Sequence, residues 1–242
     1  MLLGPYHVPG FPGTRRARLW LPRDYDPSHA HRVLLAFDGQ NVFDDHGSFA
    51  GGWHLHSAVD RLATRRRRAP VLVGLDHGND HRISELSPFP VQGGPGRLDE
   101  LLEWCVATLL PSVASRANVG LGAVNVALIG SSMGGLAALY AHFRRPDAFG
   151  GVIAMSPALW VARGGIFEFV QSQPTPMFSR VYLDCGLREG RMMHLATRMA
   201  MHLASRGYPP GQFLWRPDRR GGHSEGHWRR RAPKALRFMY PA

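Results

Sequence analysis

Three features of the sequence predict an α/β protein, with a mostly parallel central sheet and helices on both faces. Short apolar runs recur at Arg32–Phe37, Pro70–Leu75, Val124–Ile129 and Gly150–Met155. They lack the polar alternation of a strand with one wet face, so they read as strands covered on both sides. Between them lie segments with helical spacing. In Leu98–Ser115, for example, Leu101, Leu102, Cys105, Val106 and Leu109 fall on one stripe. The third feature is VNVALIGSSMGGLAALY at Val124–Tyr140, a strand, a glycine-rich turn and a helix in immediate succession. Strands alternating with helices in this way form a parallel sheet with two helical layers.

Taken in order, residues 1–14 are rich in Pro and Gly and predict irregular chain. Arg15–Leu21 alternates and predicts an early strand, Pro22–His31 a loop, and Arg32–Phe37 a strand running into the polar turn Asp38-Gly39-Gln40-Asn41. Trp53–Leu62 carries Leu55, Val59 and Leu62 at helical spacing. Pro70–Leu75 is a strand that opens into a long polar loop, Asp76–Gly96. The helix Leu98–Ser115 and the central strand follow, with helix resuming from Leu136 to Phe143. Beyond it come a strand at Gly150–Met155, a short helix at Ile166–Ser172, a strand at Arg180–Asp184 and an amphipathic helix at Arg191–Arg206. The last elements are a strand at Phe213–Arg216, a loop at Pro217–Gly226 and a closing helix at His227–Tyr240. In that helix Pro233 marks either a kink or the true first turn. No repeat, low-complexity tract or linker interrupts the series, so residues 1–242 read as a single domain. The interval Pro157–Ser179 holds one short helix, too little chain for a helical pair, and no separate cap domain is expected.

Composition narrows the function classes. The net charge is +11 and Lys234 is the only lysine, so the basic charge is almost all arginine. The runs Arg65–Arg68 and Arg229–Arg231 read as helix ends or faces and lack the interleaved aromatics of single-strand binders; no nucleic-acid partner is expected. No apolar run is long enough to span a membrane, and MLLGPYHVPGFPG lacks a secretion signal, so no membrane partner and a cytoplasmic location are expected. Cys105 and Cys185 have no metal-type neighbours and read as reduced packing residues. His54 with His56, or His77 with His81, would supply two metal ligands but no third. Neither a metal nor a cofactor is expected.

The chemistry concentrates at Gly130-Ser131-Ser132-Met133-Gly134, a G-x-S-x-G sequence in the strand-turn-helix context that a nucleophilic serine requires. The turn lifts the Ser132 hydroxyl above the sheet and aims the Met133 N–H at a developing oxyanion. Ser131 has Ile129 where the first glycine would stand, and reads as turn packing. A serine hydroxyl needs a base, and the base needs a carboxylate to hold its tautomer. Ligands meet the carboxyl ends of strands in such sheets. The histidine that follows the last strand is His223, led in by Gly221 and Gly222; its rival His227 adjoins the closing helix. Candidate acids, in order, are Glu189, Asp184 and Asp218. A second oxyanion donor is the N–H of Gln40 in the turn after an earlier strand.

Together these stretches resemble the putative esterase (esterase D-like) family of α/β-hydrolases. That family includes S-formylglutathione hydrolases, feruloyl and acetyl-xylan esterases, enterochelin-type esterases and mycolyltransferases. FDGQNVFDD, SFAGGWHLHSAVDRL, VGLDHGNDHRISELSPF, IGSSMGGLAALYAHFRRPDAFGGVIAMSPALW, VYLDCG and GGHSEGHW carry the likeness, from Val33 to Trp228. It implies the α/β-hydrolase fold, Ser132 as nucleophile, His223 as base and Glu189 as acid, where members often carry Asp. It supports Gln40 and Met133 as oxyanion donors. Trp160, Arg82 and Glu85 match recurrent positions near the site, as substrate-binding residues or as supports of the Asp76–Gly96 loop. The function implied is hydrolysis of small soluble carboxylic esters through an acyl-enzyme. Acyl transfer to an alcohol and a non-catalytic protein with an arginine-rich surface are the alternatives.

Overall fold

The computed structural model describes residues 1–46, 48, 50–63 and 68–241. Eight strands form one sheet: β1 (Leu2–Tyr6), β2 (Arg15–Trp20), β3 (Val33–Phe37), β4 (Val71–Leu75), β5 (Val126–Ser131), β6 (Gly151–Met155), β7 (Arg180–Gly186) and β8 (Phe213–Asp218). Their order is β1-β2-β4-β3-β5-β6-β7-β8, with β1 and β2 antiparallel and every pair from β4 to β8 parallel. Every residue of β3, β4, β5 and β6 is buried, which is why these strands read as unbroken apolar runs.

Nine α-helical segments accompany the sheet among the described residues: α1 (Gly39–Val42), α2 (Leu55–Asp60), α3 (Arg82–Glu85), α4 (Leu98–Trp104), α5 (Leu110–Ala114), α6 (Ser132–Arg144), α7 (Gly165–Ser172), α8 (Arg191–Ala204) and α9 (Glu225–Met239). Two cores lie on opposite faces of the sheet. In one, Leu101, Leu109, Leu136 and Leu203 gather with Val73 and Leu128 of the strands. In the other, Leu55, Val59, Trp228 and Leu236 pack against Leu34, Leu72 and Ile129. Alternate strand residues therefore serve opposite cores, as the period of two requires.

Several expectations are corrected. The N-terminal stretch is not wholly irregular: Leu2–Tyr6 pairs with β2, and Leu3 is buried beneath it. The Pro and Gly of this edge strand had hidden it. The central strand starts at Val126, because Val124 is solvent-exposed. The helix after the glycine-rich turn starts at Ser132 itself, four residues before the alanine- and leucine-rich run. The loop Asp76–Gly96 contains a short 3₁₀ turn and α3. Leu98–Ala114 is continuous helix with a π turn at Cys105–Leu109. The closing helix begins at Glu225 and holds Pro233 in its interior, so Pro233 does not mark its first turn. Between Pro157 and Ser179 lie a single turn at Val161–Gly164 and α7, with no cap domain. Of the arginine run Arg65–Arg68, residues 65–67 lie outside the described residues.

Close backbone approach at two glycine pairs sets the carboxyl edge of the sheet. A Cβ on Gly130 would stand 2.2 Å from the Gly134 carbonyl oxygen, so Gly130 is sterically required for α6 to leave β5 so sharply, while a Cβ on Gly134 would crowd Asp38 at 3.1 Å and Phe37 at 3.3 Å. Farther along the edge, a Cβ on Gly186 would lie 2.3 Å from the carbonyl carbon of Gly221, and the Arg188 N–H donates to the Gly221 oxygen at 3.1 Å. The turn after β7 and the loop after β8 thereby touch through bare backbone. Gly130→Ala should lower stability by at least about 2 kcal/mol, because backbone must shift to admit the methyl group. Gly226→Ala, where a Cβ meets nothing within 4 Å inside α9, should raise it by up to about 1 kcal/mol. Urea unfolding midpoints of the two variants check both signs.

Candidate active site

Ser132 follows the last residue of β5 and has φ 52°, a left-handed conformation that side-chain-bearing residues rarely adopt. Ser131 before it is extended (φ −122°) and belongs to the strand. The flip between them turns the Ser132 hydroxyl out of the sheet. His223 meets it from the loop after β8, with Nε2 3.0 Å from Oγ. The other ring nitrogen, Nδ1, lies 2.8 Å from Oε2 of Glu189. Glu189 ends a 3₁₀ turn, Leu187–Glu189, directly after β7. The three side chains therefore come from the carboxyl ends of β5, β7 and β8 and form one hydrogen-bonded chain.

The Glu189 side chain is fully buried. Its Oε1 accepts from the Gly186 N–H at 2.7 Å and from the Ser156 hydroxyl at 2.7 Å. Desolvation pushes this carboxyl up, but hydrogen bonds from His223, Ser156 and Gly186, with the charge of Arg231, outweigh it and hold the pKa below the ordinary glutamate value. The His223 ring packs edge-on against Trp228, with centroids 4.9 Å apart.

The other two acids are committed elsewhere. Asp184 is fully buried in β7, with Oδ1 3.2 Å from Arg231 Nη1 and Oδ2 accepting from the Tyr182 hydroxyl at 3.3 Å. Burial pushes its carboxyl up against the pull of Arg231. Asp218 pairs with Arg230 at 2.6 Å. Neither touches His223. Strand residues alternate faces, so Asp184 points into the sheet's flank, whereas the turn beyond Gly186 lets Glu189 double back.

A cavity of about 630 Å³ opens on Ser132 and His223, bounded by Phe37, Trp53 and Trp228 and by the polar groups of Asp38, Gln40 and Arg82. Gln40 sits in α1, and its side-chain amide spans the loops after β3 and β4. Nε2 donates to the His77 carbonyl at 2.9 Å and Oε1 accepts from the His77 N–H at 3.0 Å. The side chain is thereby committed to the His77 backbone. Met133, directly after Ser132, has its side chain buried in the core. Arg82 forms a two-point ion pair with Asp38, Nε to Oδ1 at 2.6 Å and Nη2 to Oδ2 at 2.7 Å, on the cavity wall.

The two remaining predicted residues lie elsewhere. Glu85 is buried against Arg15, and its Oε2 accepts from the Gly78 N–H at 2.9 Å. It supports the loop after β4 and does not line the cavity. Trp160, half exposed, borders a separate groove with Phe167 and Arg198. Sequence reasoning missed Ser156 and Arg231, which hold Glu189. Ser156, directly after β6, was not singled out, and Arg231 was read only as part of the run Arg229–Arg231 at a helix end or face. Among the described residues, no three His, Cys, Asp or Glu side chains are placed to hold a metal ion.

A family model described as "Putative esterase" matches residues 10–239. An iron(III) salmochelin esterase of Escherichia coli O6:H1 (strain CFT073) is 28% identical over 233 residues, 89% of this chain and 52% of that protein. The chain thus spans about half the length of that curated relative. Among solved structures, the BES protein from Bacillus cereus superposes with a TM-score of 0.80 at 17% identity, covering 97% of this chain and 92% of the other. An enterobactin esterase from Shigella flexneri, solved in the presence of enterobactin, gives a TM-score of 0.72 at 24% identity over 93% of this chain and 54% of that one. At these identities the two structures establish the α/β-hydrolase-like fold.

Glu85→Gln removes one charge of a buried pair and should cost about 3 kcal/mol in thermal or urea unfolding, since Arg15 would be left uncompensated. Trp160→Ala, at an exposed position, should change stability by less than about 1 kcal/mol.

Proposed function

The chain belongs to the putative esterase family, and from that premise we propose that it is a serine hydrolase that cleaves carboxylic esters of small soluble substrates. The observation that carries this reading is the chain Ser132 Oγ–His223 Nε2, His223 Nδ1–Glu189 Oε2, at 3.0 and 2.8 Å. In this reading His223 Nε2 takes the Ser132 proton as Oγ attacks the ester carbonyl. The resulting oxyanion accepts hydrogen bonds from the Gln40 and Met133 N–H groups. His223 then returns the proton to the leaving alcohol, and a water activated by the same nitrogen releases the acid. Glu189 keeps Nδ1 protonated and stabilises the imidazolium. Transfer of the acyl group to an alcohol would use the same groups.

Substrate size follows from the architecture. With one turn and α7 between β6 and β7, no helical cap stands over the site among the described residues. The cavity wall mixes aromatic with charged and amide groups. We read it as an open, partly polar cleft suited to short acyl chains.

Ser132→Ala should abolish fluorophosphonate labelling and lower turnover by on the order of 10⁶-fold, whereas Ser131→Ala should keep most labelling. His223→Ala should be nearly inactive and Glu189→Gln clearly impaired, with Asp218→Asn close to wild type. Full activity in Glu189→Gln would remove it as the acid. On p-nitrophenyl esters, rates should fall as the acyl chain lengthens. A strong rise at a lipid interface with long chains would contradict the open cleft.

A further inference from the structure

One arginine outside the cavity stands at the back of the Glu189 carboxylate. Arg231 projects from α9, is only 5% exposed, and lies between two fully buried carboxylates of β7 and its turn. Nη1 is 3.2 Å from Asp184 Oδ1, and Nη2 is 3.7 Å from Glu189 Oε1. Nη2 also donates to the Ser156 hydroxyl at 2.8 Å, and the Trp228 indole N–H donates to that same oxygen at 3.2 Å.

The hydrogen bonds at Ser156 have only one consistent direction. Guanidinium and indole groups are donors and never acceptors. The Ser156 oxygen therefore accepts twice, and its single proton must point to Glu189 Oε1, 2.7 Å away. That oxygen also receives the Gly186 N–H. Both hydrogen bonds at Oε1 come from donors and Arg231 adds a cation beside it, an environment that favours the ionised carboxylate. Oε2 then accepts from His223 Nδ1–H, which leaves the Nε2 lone pair facing Ser132. Ser156 is held to this task by its backbone, at φ 44° and with no solvent exposure.

We propose that Arg231, acting directly and through Ser156, is the positioning residue that keeps Glu189 ionised and so sets the His223 tautomer at the nucleophile. The proposal rests on the Ser132–His223–Glu189 reading and adds to it a buried cation on another element. The charged and titratable groups facing Glu189 are His223 from the loop after β8, Arg231 from α9, and Asp184 and Cys185 from β7. Asp184 is the counterweight, since it draws the same guanidinium away from Glu189.

Four variants test the assignment through pH–rate profiles on one short-chain p-nitrophenyl ester. Arg231→Met should lower kcat tenfold to a hundredfold, about the cost of a small misplacement of reacting groups, with KM little changed. Its acid limb should move to higher pH, because loss of a nearby positive charge favours the protonated form of every group around it. Asp184→Asn leaves the guanidinium to Glu189 alone; it should stay active and move the acid limb to lower pH. The double variant Arg231→Met/Asp184→Asn restores charge balance in the core. It should remain impaired if Arg231 serves Glu189; recovery to wild-type kcat would show that Arg231 only neutralises Asp184, and would overturn the proposal. Arg231→Lys keeps the charge without the two-point reach, and should recover part of the acid-limb shift. Circular dichroism of each variant separates loss of folding from loss of positioning. If Arg231→Met does not fold, opposite or absent movement of the acid limb in Asp184→Asn would by itself overturn the proposal. A fully active Glu189→Gln would instead bring down the triad reading beneath it.

Discussion

A carboxylate taken wholly out of water has to be met by donors on every side, and that requirement at Glu189 organises the carboxyl edge of the sheet. Its partners come from four places: Gly186 at the end of β7, Ser156 after β6, Arg231 on α9 and His223 after β8. Each must arrive within a few tenths of an ångström. The bare backbone contact between Gly186 and Gly221 brings the last two loops close enough, and a side chain at either position would wedge them apart. The strained φ of Ser156 aims its hydroxyl at the acid rather than into the strand ladder. A left-handed backbone at a non-glycine residue is costly, and it persists where surrounding packing holds it.

The Ser132 side repeats the same logic with different means. Ser132 also has positive φ, and the Gly130–Gly134 contact leaves no room for a gentler exit from β5. Asp38, a third left-handed residue, stands where β3 passes into α1 and is clamped by Arg82 from the loop after β4. Gln40 ties that same loop by two hydrogen bonds to His77. The cavity is thus framed by strand ends and cross-linked loops, and two of the charges on its wall, Asp38 and Arg82, are paired with each other. A site of this kind needs little reorganisation during a reaction, which is where preorganised donors contribute most.

Two arginine-rich features look alike in composition and differ in physical role. Arg230 meets Asp218 at the surface, while its neighbour Arg231 is buried between two carboxylates. Successive residues on a helix face directions about 100° apart, so one turns to solvent and the next to the sheet. The high net charge therefore says little about Arg231, whose environment is decided by the register of α9.

Read alone, the sequence determined the layer architecture, the sharp turn at Ser132 and the loop that carries His223. Those depend on local rules: unbroken apolar runs for covered strands, and glycines where backbone must approach backbone. The order Ser132, Glu189, His223 was legible for the same reason, since strand ends in a parallel sheet share one edge. The choice of Glu189 over Asp184 and Asp218 rested on loop position and resemblance, and the geometry brings only Glu189 to His223. Tertiary structure alone decided the rest. Glu85 turned inward to Arg15 and Trp160 outward to another groove because side-chain direction follows from packing, which sequence spacing does not encode. The roles of Ser156 and Arg231 emerge only when four elements converge on one buried charge, and no local pattern in any one of them announces that meeting.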